Sequence, residues 1–274
     1  KAGYASIYLC ELDLEVLDSM YEWDKCICSE VEISTKSYLP RWFTDYVYSL
    51  YVAKCKLKNG DPVLYSIAKS KLNSLYGMCV QKSIKENLVE DYMTGEYEPE
   101  QVLDKDGEPM DDEALYDKYV NNRNSILPYQ WGVWVTSWAM NNLFTLAKCT
   151  IDDAGQWHFV YSDTDSVYST YWNEDKLNQY NETCKQKLRD NGYDAVHYDG
   201  AEYWLGVAEH DPEEDTYTEF KYMGAKRYCG RNATTGKLKI TVAGMPSECY
   251  SQVTFDNFNI GASYHGKKLP KTVS

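Results

Sequence analysis

Two carboxylates stand two positions apart in the stretch WHFVYSDTDSVYST, residues 157–170. Apolar residues on both arms predict two buried strands, with Ser162-Asp163-Thr164-Asp165 at the tight tip between them. Carboxylates at the end of a rigid hairpin offer the hard oxygen ligands that Mg²⁺ takes, and they leave coordination positions for substrate phosphates. Two such ions about 4 Å apart activate an attacking oxygen and steady a leaving one in phosphoryl transfer. Asp and Ser are also ordinary turn residues, so the same tip reads as a plain turn when taken by itself.

Two lysine-bearing segments could serve the same chemistry. In AKSKLNSLYG, residues 68–77, Lys69, Asn73, Tyr76 and Gly77 follow the spacing i, i+4, i+7, i+8 and share one stripe of a helix. A lysine on that stripe reaches a triphosphate as a point charge, a tyrosine packs a flat face on a sugar or base, and a glycine opens space. Lys54, on the preceding helix, supplies a second charge, with Lys56 and Lys58 as competitors. The plainer reading is a surface helix that ends at Gly77. In FKYMGAKRY, residues 220–228, Lys226 and Tyr228 point to the same side of a strand. There Lys226 contacts a phosphate or the reacting group; alternatively it guards an edge strand against aggregation.

The elements that position these residues follow from pattern. Residues 11–22 predict a short helix, and KCICSEVEI, 25–33, alternates like a strand. An aromatic helix runs from Arg41 to about Lys56 and breaks at Lys58-Asn59-Gly60-Asp61-Pro62. Asp61 then caps a second helix with Pro62 at its first position, giving a helical hairpin. Val133–Ile151 predicts a long apolar helix, 174–190 an amphipathic surface helix, and Thr216–Tyr228 and Lys237–Val242 strands. The tail from Val253 reads as a helix start followed by the basic segment Lys267, Lys268, Lys271. Helices and strands in segregated runs give an α+β class.

The charge balance argues at first against a nucleic-acid partner. The 274 residues carry 42 acids and 28 bases, a net −14, whereas proteins that neutralise phosphates present a basic face. Residues 86–117, however, hold 13 acids and the one base Lys105, or −12, which leaves 29 acids against 27 bases, or −2, elsewhere. With Gly95, Pro99, Gly107 and Pro109, that stretch reads as an exposed insertion with at most a hairpin. The nine cysteines show no C-x-x-C and the four histidines no metal-ligand spacing, so free thiols in a reducing cytoplasm are expected and zinc is not. No run of about 18 apolar residues suits a membrane span, and no secretory leader opens the chain. The chain begins at Lys1 and is expected to be part of a longer product.

In order and spelling, the three segments resemble family B DNA polymerases. The helix is similar to the K-x-x-x-N-S-x-Y-G motif of the fingers, YSDTDS to the catalytic hairpin of the palm, and KRY to the K-x-Y motif before the thumb. The run YLCELDLEVLDSMYEWDKCIC, the tract AGMP at 243–246 and VTFDNFNIG at 253–261 bring it closest to the protein-primed type of bacteriophages and plasmids. The resemblance implies a polymerase palm with an antiparallel sheet and packed helices, helical-hairpin fingers, an inserted acidic subdomain and a partial thumb. Its boundaries are 1–41 palm-proximal, 42–80 fingers, 81–127 the second family-specific insertion, 128–250 palm and 251–274 the start of the thumb.

Carried over by residue, the resemblance makes Asp165 the bridge between two Mg²⁺ ions (Mn²⁺ substituting), with Asp163 a weaker or outer ligand. Lys69 and Lys54 hold the incoming dNTP, Asn73 and Tyr76 line its pocket, and Gly77 packs it. Lys226 and Tyr228 meet the primer terminus, and Ser74 and Lys221 meet DNA. Partners implied are primer-template DNA, dNTP, a terminal protein primer and the upstream part of the same polymerase, with no membrane. The family places a further metal-binding Asp in a D-x-x-S-L-Y-P segment before the fingers, and nothing here matches it: Ser19-Met20-Tyr21 is followed by Glu22, with Val16 where the Asp belongs. The chain alone is therefore expected to be inactive. A non-catalytic DNA- or nucleotide-binding remnant and a metal-dependent nuclease on the same hairpin are the other readings.

Overall fold

The computed structural model describes residues 3–33, 35, 37–81, 88–91, 93–122, 129–210, 212–213 and 215–266. The basic segment Lys267, Lys268, Lys271 lies outside the described residues. The chain divides into two compact units: residues 1–141 with 195–203, and residues 142–194 with 204–274.

In the first unit, α1 (Glu11–Met20) is closed at its start by Asp13, whose Oδ2 accepts from Cys10 N–H at 3.1 Å and from Ser137 Oγ at 3.1 Å. The expected strand at 25–33 does not form. Ile27, Val31 and Ile33 are exposed, because an alternating pattern needs a partner strand to become a ladder. The helical hairpin is as expected: α2 (Arg41–Leu57) turns into α3 (Pro62–Cys79), and Asp61 Oδ1 accepts from Val63 N–H at 2.7 Å and Leu64 N–H at 3.1 Å. α3 runs through Gly77 and ends with Val80 as its cap, so Gly77 is a helical residue and not the stop.

The acidic stretch carries more structure than a hairpin. Strands β1 (Leu88–Glu90) and β2 (Tyr97–Pro99) pair antiparallel, and α4 (Asp112–Val120) follows. Asp111 Oδ1 caps α4 by accepting from Ala114 N–H at 2.9 Å. Asp112 and Glu113 then lie in the first turn and Lys118 in the last, so acids weaken the charge of the chain's helix start and stabilise it locally. Helix α5 (Tyr129–Ala147) packs Trp131 on Phe43 at 5.0 Å. It approaches the end of α3 so closely that a Cβ on Gly132 would clash with Val80 Cγ1.

The second unit holds the hairpin of β3 (Phe159–Asp163) and β4 (Ser166–Ser169), followed by the surface helix α6 (Glu174–Asp190) that the sequence predicts. After it, β5 (Val196–Tyr198) and β6 (Ala201–Tyr203) form a short hairpin that belongs to the first unit. The expected single strand Thr216–Tyr228 is instead a hairpin, β7 (Tyr217–Gly224) and β8 (Arg227–Asn232), which β9 (Leu238–Val242) extends to an antiparallel sheet in the order β7-β8-β9. Gly224 pairs with Arg227, leaving Ala225-Lys226 as a two-residue loop. Gly224 at φ 145° and Lys226 at φ 54° make the reversal, and only glycine adopts the first of these without cost.

One face of this sheet is covered by the segment after it. Cys229, Val253 and Phe258 are buried together with Met223, Leu238, Ile240 and Phe255 against them. No helix starts at Val253 among the described residues. The side chain of Asn257 accepts from Thr254 N–H and donates to the Gln252 carbonyl, each at 2.8 Å, which offers the backbone local bonds in place of a helical ladder.

Candidate functional site

The carboxylate hairpin is tighter than the sequence implies. Asp163 pairs with Ser166 on the last rung, so Ser162 and Asp163 are strand residues and the loop is Thr164-Asp165 alone. Thr164 sits at φ 57°, a left-handed conformation that costs a branched residue roughly 1–3 kcal/mol. Bonds at the tip compensate. Asp165 N–H donates to the Asp163 carbonyl at 2.7 Å, and Thr164 Oγ1 donates to Asp163 Oδ1 at 3.0 Å.

Lys226 closes the site from the β7–β8 turn. Its Nζ donates to Asp163 Oδ1 at 2.7 Å and to Thr164 Oγ1 at 3.0 Å. The Asp163 side chain is only 14% exposed. The ammonium beside it holds its carboxyl below the usual carboxylate range against the opposing effect of burial, with the Thr164 and Tyr228 hydroxyls adding to the effect. Reciprocally, Asp163 raises the Lys226 ammonium above its ordinary value. Asp165 is exposed, and among the described residues its carboxylate has no hydrogen-bond or ion-pair partner.

Tyr228 is buried, 7% exposed, in an aromatic cluster that joins the hairpin to the sheet. Its ring lies 5.1 Å from Tyr161 and 5.4 Å from Tyr168, and Tyr168 stacks on Phe220 at 4.8 Å. Each such pair adds about 0.5–1.5 kcal/mol beyond its burial. Tyr168 Oη donates to Tyr228 Oη at 3.2 Å, and burial followed by that neighbour pushes the Tyr168 phenol upward. Tyr228 therefore presents its hydroxyl rim, and not a ring face, toward Asp163. Lys221 is engaged within the fold: Nζ donates to the Phe255 carbonyl at 3.0 Å and to Asn259 Oδ1 at 3.2 Å, which uses two of its three donors.

The other expected residues lie in the first unit. Lys69, Asn73, Ser74 and Tyr76 are exposed along α3, and Gly77 has open space where a Cβ would be. Lys54 is half-buried with Nζ 5.8 Å from the Tyr51 ring, Lys56 is exposed, and Lys58 lies 5.0 Å over the Tyr203 ring. The structure thus brings Asp163, Asp165, Lys226 and Tyr228 together in one unit and the α3 stripe together in the other. Tyr161, Thr164 and Tyr168 went unrecognised in sequence. The signal for Tyr161 is simple: it precedes Asp163 by two and shares its face of β3.

Among the described residues no three His, Cys, Asp or Glu side chains gather as a metal cage. The donors that are present, one open carboxylate and one partly engaged, are hard oxygens. They fit Mg²⁺, which keeps water and substrate ligands, better than an ion enclosed by protein alone.

Along the chain a lysine-bearing helix comes first, then a carboxylate hairpin, then a lysine turn that grips the hairpin. DNA polymerases of phages are similar to this chain along its whole length: that of Bacillus phage PZA is 24% identical over 98% of the chain, and that of Streptococcus phage Cp-1 25% over 100%. The DNA polymerase of Bacillus phage B103 is 29% identical over 159 residues, 52% of the chain. The chain spans 42%, 40% and 23% of the lengths of these relatives, respectively. Among solved structures, phi29 DNA polymerase complexed with primer-template DNA is similar at a TM-score of 0.44 and 19% identity, over 79% of this chain and 33% of that one. No family model matches the chain.

Proposed function

We propose that this chain carries the nucleotidyl-transfer centre of a protein-primed, phage-type DNA polymerase, with fingers at 42–80, palm at 128–250 and the start of the thumb from 251. The observation that supports it most is the 2.7 Å bond from Lys226 to Asp163, which joins the two palm motifs across 63 positions at the tip of the carboxylate hairpin. The reaction is attack of a primer 3′-hydroxyl on the α-phosphate of a dNTP, with pyrophosphate leaving. Mg²⁺, when bound, supplies charge stabilisation to the attacking and leaving oxygens. Asp165 is the open ligand for it and Asp163 the outer one. Lys69 and Lys54 hold the triphosphate, Asn73, Tyr76 and Gly77 shape the nucleotide pocket, and Lys226 faces the primer terminus with Tyr228 behind it. DNA runs past Ser74, and a hydroxyl of a terminal protein serves as the first primer. The setting is the cytoplasm of a phage host.

We infer further that a third carboxylate comes from outside these residues, since no D-x-x-S-L-Y-P segment occurs among them. Primer extension tests both parts. The 274-residue chain alone is expected to add no nucleotide, and the same chain joined to a polypeptide bearing that segment to extend a primer with Mg²⁺. Robust extension by the chain alone overturns the third-carboxylate inference, and no extension by either overturns the polymerase reading. A nuclease on this hairpin has no use for the exposed Lys69 stripe, because hydrolysis of DNA requires no triphosphate clamp.

A further inference from the structure

The Ala225-Lys226 loop is held by a residue to which no role has been given. Tyr161 Oη accepts from Lys226 N–H at 2.8 Å and donates to the Gly224 carbonyl at 3.2 Å, so one hydroxyl grips both ends of the turn. The turn needs that grip. Lys226 sits at φ 54°, a region where a residue with a long side chain is uncommon and costly. The Tyr161 ring is itself 9% exposed, packed 5.4 Å from Tyr222 and 5.1 Å from Tyr228, so its hydroxyl has a fixed place. From the turn so held, the Lys226 side chain reaches Asp163 Oδ1 and Thr164 Oγ1.

We infer that Tyr161 is a positioning residue: by clamping the Ala225-Lys226 turn in its left-handed form, it delivers the Lys226 ammonium to Asp163 and makes it the resident counter-ion of the hairpin tip. Tyr161 acts through Lys226, so removing its hydroxyl should matter only while Lys226 is present. A divalent ion approaching the tip then meets a carboxylate already paired. This last consequence rests on the polymerase reading, whereas the clamp itself does not.

The direct test is the side-chain ¹⁵N-ammonium signal of Lys226, which is visible by NMR while the ammonium is held in an ion pair. It is expected in the wild-type chain and lost in Asp163→Asn and in Tyr161→Phe. Gly224→Ala, strained at φ 145°, loosens the same turn and leaves the Tyr161 ring in place; the same loss is expected, which keeps the test decisive if Tyr161→Phe does not fold. A wild-type signal in either turn variant overturns the inference. A second readout uses Mn²⁺ alone, with the bound fraction followed by electron paramagnetic resonance. Lys226→Met is expected to bind about tenfold or more tightly than wild type, the scale on which groups around a ligand tune metal affinity. Tyr161→Phe should move the same way, and the double variant should match Lys226→Met. Additive effects in the double variant count against action through Lys226. Absence of Mn²⁺ binding in all variants, also when each is joined to the polypeptide bearing the third carboxylate, with the ammonium signal responding as expected, supports the clamp and removes the metal reading of the hairpin.

Discussion

The tip of the β3–β4 hairpin and the exposed stripe of α3 each present a lysine, in opposite states. At the tip, Asp163, Thr164 and Lys226 are bonded to one another over a buried aromatic cluster. On α3, Lys69, Asn73 and Tyr76 stand exposed, and among the described residues Lys69 has no ion-pair partner. A preorganised cluster suits groups that must keep one geometry through a reaction, since fixed dipoles need no reorganisation when charge develops. An open lysine suits a ligand that arrives carrying its own charge, because nothing has to be broken before it binds. On the proposed polymerase reading, the contrast sets a centre that holds against a helix that receives, and substitution in each should separate them in kind as well as in size.

The largest effect is expected at the tip. In the extending polymerase, Asp165→Asn should lower the rate of nucleotide addition by more than about 10³-fold, the scale reached when one stabiliser of the reacting charge is lost, and leave DNA binding intact in a mobility-shift assay. On α3, Lys69→Ala should weaken apparent dNTP affinity by about 10- to 100-fold, from the ~1.5–3 kcal/mol of a charged hydrogen bond, with the rate at saturating dNTP less changed. A steady-state KM-against-kcat split in the reverse sense would break the comparison.

Two smaller effects sharpen it by testing the supports. Gly132→Ala drives a Cβ into Val80 beside the end of α3 and should cost about 1–3 kcal/mol of stability, as overpacking does, measurable by denaturant unfolding. Near the base of the carboxylate hairpin, Asp152 accepts from Gln156 N–H at 2.8 Å and lies 2.9 Å from His158 Nε2. The bond to His158, and then that to Gln156, holds its carboxyl below the usual range. A depressed folded-state value stabilises the fold above the unfolded value, about 3.9, and that contribution is lost as pH falls through the lower folded value. Asp152→Asn should therefore lower Tm at neutral pH, with the difference from wild type shrinking once pH falls below about 4 and vanishing below the lower folded value.

Local elements were readable in the sequence wherever a residue's own chemistry decides its conformation. Asp61-Pro62 starts α3 as a cap and first-turn proline must, and α6 spans the residues its amphipathic spacing marks. Alternation misled where pairing decides: 25–33 has the pattern of a strand and no ladder, and Thr216–Tyr228 has the pattern of one strand but folds back at Gly224. The acidic stretch hid α4 because its charge dominates composition, while the cap at Asp111 and the acids after it favour a helix start.

The same division holds for the site. Sequence alone determined which groups are candidates for the proposed chemistry, since two carboxylates in a tight turn and lysines at helical spacing are properties of residue type and local period. It also carried the similarity to phage DNA polymerases. Tertiary structure decided which of those groups are bound to each other. That Lys226 belongs to a turn and not a strand, that it pairs with Asp163 and that Tyr161 holds it there are contacts across more than 60 positions. They form when buried aromatic rings bring two hairpins together, and no spacing along the chain encodes that meeting.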